Sequence, residues 1–325
     1  MTKLLSQKLD SNQSSASISK MGNLSMSESE EFLAYQERLN DPDESIRQVA
    51  CLELSLVWQP FADDLLLEKL GDPSPHVRQA ATEGLIQRSN ENTIEKLAEM
   101  LRIEDAAARN QAMVILARLN DHSLPAVESR LFDDDDDVRI FAANVLATMK
   151  NPNALDSLLA ALKDKSENVR YAVAEALGEI GDKRAVDPLL AILRSDEWVR
   201  FPAIEALGKL GDPQATSMLL PFLDNPWLRV AVVDALGYLG GEATAKVLLN
   251  YIDDENPMIN HSVIAALGRI DEKQHTRFLA TLNRPDLIPL LSNAVMSQDA
   301  SVRQSAVTAL GWVGTWENLA LLLSL

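Results

Sequence analysis

The stretch LFDDDDDVRIFAANVL, Leu131 to Leu146, sets five consecutive acids ahead of an apolar-patterned run. Carboxylates at alternate positions are what a calcium loop offers. Such a loop needs glycine at its sixth position and a bidentate glutamate at its twelfth. Counted from Asp133, those places hold Val138 and Asn144. A metal loop does not account for the acids, so the segment is better understood by comparison with the rest of the chain.

Anchored on its Val-Arg, the segment recurs as IRQVACLEL, VRQAATEGL, ARNQAMVIL, VRYAVAEAL, VRFPAIEAL, LRVAVVDAL, INHSVIAAL and VRQSAVTAL. The anchors are Arg47, Arg78, Arg109, Arg139, Arg170, Arg200, Arg229, Asn260 and Arg303, and seven of the eight gaps run 29 to 31 residues. A constant period of this size marks stacked supersecondary units. Relative to the anchors, apolar residues stand at −1, +3 and +7 throughout and at +4 in all repeats but that of Thr82, and these positions form one stripe of an α-helix. A second apolar helix precedes each one, as in NALDSLLAAL, RAVDPLLAIL and QATSMLLPFL. Gly181-Asp182 and Gly211-Asp212 read as turns after the long helix. Asp133 to Asp137 is then the turn inside one repeat, with Asp41, Asp72 and Asp164 in the matching place six residues before their arginines. An aspartate there is expected to cap the helix or to pair with an arginine of its own or a neighbouring repeat. The pattern predicts an all-α fold, a right-handed α-solenoid of about nine two-helix repeats over residues 30–325.

Composition agrees. With 46% hydrophobic residues but only 5% aromatic, the chain favours close-packed Ala- and Leu-rich helices over a sheet. A formal net charge of −18 argues against nucleic acid and anionic membrane surfaces as partners. A single cysteine, Cys51, excludes an intrachain disulfide and suits a reducing cytoplasm. No secretory signal and no spanning-length apolar run is present, so a cytoplasmic location is expected.

The pattern D-x-x-x-x-V-R-x-x-A-x-x-A-L-G-x-I-G-D, nearly literal in Asp164 to Asp182, resembles the HEAT-like repeats of the phycobilisome lyase type. That resemblance covers about residues 39–325 and implies the fold more than a task, because the matched positions are those that pack. Among HEAT-like proteins, deoxyhypusine hydroxylase carries His-Glu dipeptides. Here His76, His122, His261 and His275 are followed by Val77, Ser123, Ser262 and Thr276, so that branch does not fit. The alkylpurine DNA glycosylases line their groove with basic and aromatic residues, against the acidic balance here. The resemblance leaves open a bilin lyase or bilin-handling chaperone acting on phycobiliproteins, with a bilin as the ligand. Phosphate-loop, dinucleotide, nucleophile-elbow and zinc-helix motifs are missing from the sequence, and no metal or other cofactor is expected.

On the second helices, positions +1 and +5 turn away from the buried stripe and should line a concave groove. The +1 column places Tyr171 beside Phe201, and the +5 column runs Glu175, Glu205 and Asp234. Trp198 and Trp227 occupy matching turn positions two residues before Arg200 and Arg229. These seven are the candidate binding residues. They could anchor a basic or amphipathic protein segment, or the tryptophans could plug gaps between repeats. A non-catalytic scaffold or adaptor is the leading expectation. Residues 1–29, serine-rich, read as a flexible leader. A longer repeat is expected at about 271–297. ENLALLLSL at the end reads as a first helix without its partner, which suggests a longer protein or a covering chain.

Overall fold

The structure, a computed structural model, describes residues 26–254, 256–274 and 287–313. Every regular element among these residues is a helix. In chain order they are α1 (Met26–Leu39), α2 (Glu44–Leu54), α3 (Phe61–Glu68), α4 (Pro75–Arg88), α5 (Glu91–Glu99) and α6 (Ala106–Leu119). Then follow α7 (Leu124–Arg130), α8 (Asp136–Met149), α9 (Leu155–Ala161), α10 (Glu167–Ile180), α11 (Val186–Ser195) and α12 (Arg200–Leu210). The last are α13 (Thr216–Leu219), α14 (Arg229–Leu239), α15 (Glu242–Leu248), α16 (Pro257–Gln274), α17 (Leu287–Ala294) and α18 (Ala300–Val313). Taken two at a time, these make nine helical pairs, each with its anchor on the second helix.

The chain divides into two compact units, Met1–Met149 and Lys150–Leu325. In the first, α2, α4, α6 and α8 pack in succession; in the second, α10, α12, α14, α16 and α18 do. The expected stripe is buried, as Val169, Val173, Ala174 and Leu177 of α10 illustrate. Burial goes further than the stripe, because α10 is covered both by its own first helix, α9, and by the next second helix, α12. Ala172, Ala176 and Gly178 of α10 are therefore buried as well. Gly178, Gly208 and Gly237 stand where the next helix passes closest: a Cβ on each would lie 2.8 Å from the Cα of Ala206, Ala235 and Ala266. Gly181 and Gly211, at φ 77° and 65°, end α10 and α12 in the left-handed conformation that lacks a steric cost only for glycine.

The acidic turns work differently from the expectation. The second helix usually starts three residues before its arginine, so the aspartate at −6 lies outside it. That residue instead closes a turn, with Asp41, Asp72 and Asp164 accepting from the amides of Asp43, Ser74 and Ser166 at 2.8, 2.9 and 2.8 Å. Capping falls to the residue at −4: Asp43 accepts from Ser45 N–H at 2.8 Å and Asp105 from Ala107 N–H at 2.9 Å. The five aspartates divide the same work. Asp133 accepts from Asp135 N–H and pairs with Arg102, Asp135 accepts from Asp137 N–H, and Asp136 and Asp137 open α8 near its positive end.

Pairing with a neighbouring repeat is seen directly. The Arg47 guanidinium donates to the carbonyls of Asp41 and Pro42 at 2.9 and 3.1 Å, and through Nε and Nη2 to both carboxylate oxygens of Asp72 at 2.9 Å. Arg170 likewise reaches Asp196 through Nε and Nη2, and Arg229 reaches Asp254 through Nη1 while its Nε donates to the Leu223 carbonyl. At Asp72 burial works to raise the carboxyl's pKa, yet Arg47 and the Ser74 amide outweigh it and hold the group below the usual range.

Three boundaries differ from the expectation. Helix α1 begins at Met26, inside the segment read as leader, and its first turn carries Glu28, which suits a helix N-terminus. QATSMLLPFL is not one helix: α13 is short and gives way to a 3-10 turn over Leu220–Asp224, because Pro221 lacks the amide a continuing helix needs. Around the longer repeat, α16 is lengthened to Gln274, while residues 275–286 lie outside the described residues. The remaining leader residues 1–25 and the terminal ENLALLLSL also lie outside them.

Asp72→Ala removes the carboxylate from the half-buried Arg47, which keeps its carbonyl partners, and is expected to destabilise the first unit by about 1–3 kcal/mol, measured by urea unfolding. Gly208→Val is expected to prevent α12 and α14 from packing, with loss of cooperative thermal unfolding of the second unit.

Candidate functional site

The second helices of the second unit present three columns of side chains, each one helical turn from the next. Tyr171 and Phe201 stand at +1, Glu175, Glu205 and Asp234 at +5, and Glu179, Lys209, Tyr238 and Arg269 at +9. The helices that carry them are held close by the glycine contacts, so acids on neighbouring helices feel one another.

Glu179 is saturated with positive charge. It accepts from Lys209 at 2.7 Å and from Lys150 at 2.8 Å, and these bonds pull its carboxyl down from 4.5 to about 2. Its bond in turn holds the Lys209 ammonium above its ordinary range. Asp234 accepts from Arg269 at 2.9 Å, and the Arg269 guanidinium lies 4.6 Å from the Tyr238 ring centre. Burial still wins at Asp234 and pushes its carboxyl up. Glu175 and Glu205 lie in a different state. Both are half-buried, and burial first, then the neighbouring carboxylates, push their pKa values up; Lys209 offsets only part of this. The Tyr171 phenol is raised by burial and by the same two glutamates. A cavity of about 450 Å³ opens beside Glu205, lined by Lys209, Asp234, Tyr238, Met258 and Arg269 among others. His261 also faces it.

Of the seven candidate residues, five share this face. Trp198 and Trp227 do not belong with them. They stand on the turns at the helix N-terminal edge, 71% and 91% exposed, and plug no gap between repeats. Trp198 borders a separate apolar cavity of about 800 Å³ on the first-helix side, with Leu159, Leu162, Pro188 and Ile192. The +9 column escaped the sequence reading, although it lies one turn beyond +5 and faces the same way. Met258 escaped it too, two residues before Asn260, where Trp198 and Trp227 stand in their repeats.

Comparison with known families matches this architecture. The profile for HEAT repeats matches residues 34–117, 64–140, 124–199 and 217–282. The chain belongs to the HEAT-repeat family. A profile for the PBS lyase HEAT-like repeat also matches residues 199–225 of this HEAT-repeat chain. Among solved structures it is similar to the complex of CpcE and CpcF of phycocyanin lyase from Nostoc sp. PCC7120. There the identity is 22%, with 61% of this chain and 79% of that chain covered and a TM-score of 0.46. It is also similar to the Kap95:Nup1 complex, at 14% identity over 92% of this chain and 49% of that one, with a TM-score of 0.57. Importin beta matches at 13% identity over 87% and 47%, with a TM-score of 0.54. The chain spans about half the length of these last two. At such identities the likeness is one of fold, an α-solenoid. Comparison with curated protein sequences gave no match. Among the described residues no helix is long and apolar enough to cross a membrane.

The two kinds of glutamate should respond oppositely to neutralisation. Glu179, with a depressed pKa, stabilises the second unit above pH 4.5, and this is lost as the pH falls through about 2. Glu179→Gln is expected to lower stability at neutral pH by ~0.5–1 kcal/mol, the range of a screened surface pair. Glu205, with a raised pKa, favours folding only while protonated, and that contribution is lost as pH rises through its folded value. Glu205→Gln should therefore equal or exceed wild type at pH 7, the difference closing as the pH falls towards 4.5. Urea unfolding across that range checks both signs.

Proposed function

We propose that the chain is a non-catalytic scaffold or adaptor that binds a basic or amphipathic protein segment on the second-helix face of its second unit. The observation that carries this reading is the state of Glu175 and Glu205. Two half-buried carboxylates on adjacent helices have their pKa values pushed up, Glu175 by burial and by Glu205, Glu205 by burial and by Asp234, with Lys209 offsetting only part of this. A lysine or arginine side chain laid between them relieves both costs at once, so binding energy is stored there before the partner arrives. Tyr171, Phe201 and Tyr238 supply ring faces beside the acids, suited to the stem and head of a basic side chain. HEAT-repeat solenoids such as the one in the Kap95:Nup1 complex are found joined to other proteins, which agrees with a binding role.

The test is affinity capture from native extract, wild type against Glu175→Lys/Glu205→Lys, with Glu83→Lys in the first unit as control and eluates examined by mass spectrometry and visible absorbance. A protein retained by wild type and the control but lost from the double variant supports the acidic face. Identical eluates from all three refute it. A coloured eluate would replace it with the bilin-handling reading, towards which the PBS lyase HEAT-like match over residues 199–225 points.

A further inference from the structure

The first-helix side of the second unit carries a cavity of its own. Helices α9 and α11 each pack on their own second helix, α10 and α12. Between them opens the cavity of about 800 Å³, walled by Leu159, Leu162, Pro188, Ala191 and Ile192. Leu162 and Ile192 form its floor, at 6% and 8% exposed. Trp198, on the turn after α11, borders it. A mostly apolar hollow with a few polar groups and a volume within ~300–1,000 Å³ has the character of a small-molecule site.

The polar groups of the lining are unequally engaged. Arg170 donates through Nε and Nη2 to Asp196 at 2.7 and 2.6 Å, and the same carboxylate accepts from the Trp198 backbone amide at 3.1 Å. Glu197 is answered by Arg200 at 2.8 Å. The Ser195 hydroxyl donates to the Ala191 carbonyl at 3.1 Å. Two groups are left over. The Lys163 ammonium and the Trp198 indole N–H have no partner among the described residues. Both are donors, so an occupant that completes the lining must bring an acceptor, and beside a lysine the strongest acceptor is an anion.

Other occupants fit less well. A peptide would set its backbone amides and carbonyls against walls that offer them no partner. A bare inorganic anion would leave the apolar floor in water, and a cation would meet Lys163 as a like charge. We propose that the cavity between α9 and α11 binds a small apolar molecule bearing one carboxylate. Its body lies on Leu162 and Ile192, and its carboxylate accepts from Lys163 and the Trp198 indole N–H. The acidic face belongs to the second helices, so this site does not depend on the role proposed for that face.

Titration calorimetry at about 0.15 M salt, where the net charge of −18 is largely screened, tests it. The probes are decanoate and naphthoate, with decyltrimethylammonium and acetate as controls that lack the negative charge or the apolar body. Wild type is expected to bind at least one of the two larger carboxylates, and the tighter one tells an acyl chain from an aromatic ring as the body. Both controls should bind about tenfold more weakly or less. Lys163→Met keeps the stem without the ammonium and should weaken the carboxylate about tenfold. Ala191→Trp, at an exposed place on the wall, should abolish binding by filling the cavity. Lys165→Met, an exposed lysine outside the lining, should leave it unchanged. Each variant is checked for wild-type thermal unfolding, which these exposed positions should preserve. No binding of either carboxylate, equal binding of decyltrimethylammonium, indifference to Lys163→Met and Ala191→Trp, or an equal loss in Lys165→Met would overturn the proposal.

Discussion

The anchor arginines Arg47, Arg170 and Arg229 each tie three pieces of chain together. A guanidinium offers five donors in a rigid fork, and each helix of a pair leaves end carbonyls without internal partners. In Arg47 and Arg170 one branch of the fork closes off the first helix of the repeat through carbonyls at −6 and −5, while the other engages a carboxylate one repeat on. Lysine could do one of these jobs but not both in fixed geometry. At Arg200, with no acid one repeat on, the ring of Phe222 takes its place, at 5.6 Å. The −6 acids follow from this arrangement, and a share of the net charge of −18 is architecture rather than a message to a partner.

This explains what could be read from the sequence and what could not. The helical pairs, their number and the turn glycines were legible because each depends on residues repeated at a constant spacing. The arginine-to-aspartate pairing was legible as a possibility, and its direction, towards the following repeat, needed three dimensions. Capping was misassigned to −6 because helix starts are set by local geometry that the apolar stripe does not mark. Tyr171, Phe201, Glu175, Glu205 and Asp234 share a face because helical periodicity places +1 and +5 on one side. Trp198 and Trp227 were wrongly joined to them, since a turn residue has no helical phase from which to infer a side. The +9 column was overlooked although the period contained it, because its members, Glu179, Lys209, Tyr238 and Arg269, share no chemistry that would make them stand out in one dimension.

The unusual electrostatics of the second unit rest on its packing. At +8, the position of Gly178, Gly208 and Gly237, the first unit carries Ser55, Ile86, Ala117 and Ala147. A side chain there bars the close backbone approach that the glycines permit. In the first unit the +5 acid Glu83 meets the +9 base Arg118 of the next helix as an ordinary surface pair, at 2.6 Å. In the second, the +9 base Lys209 is drawn to Glu179, which leaves Glu175 with a carboxylate neighbour and too few donors. Glycine at +8 and the identity of the +9 residue thus act together. The first brings the acids near one another, and the second decides which of them is left without a donor.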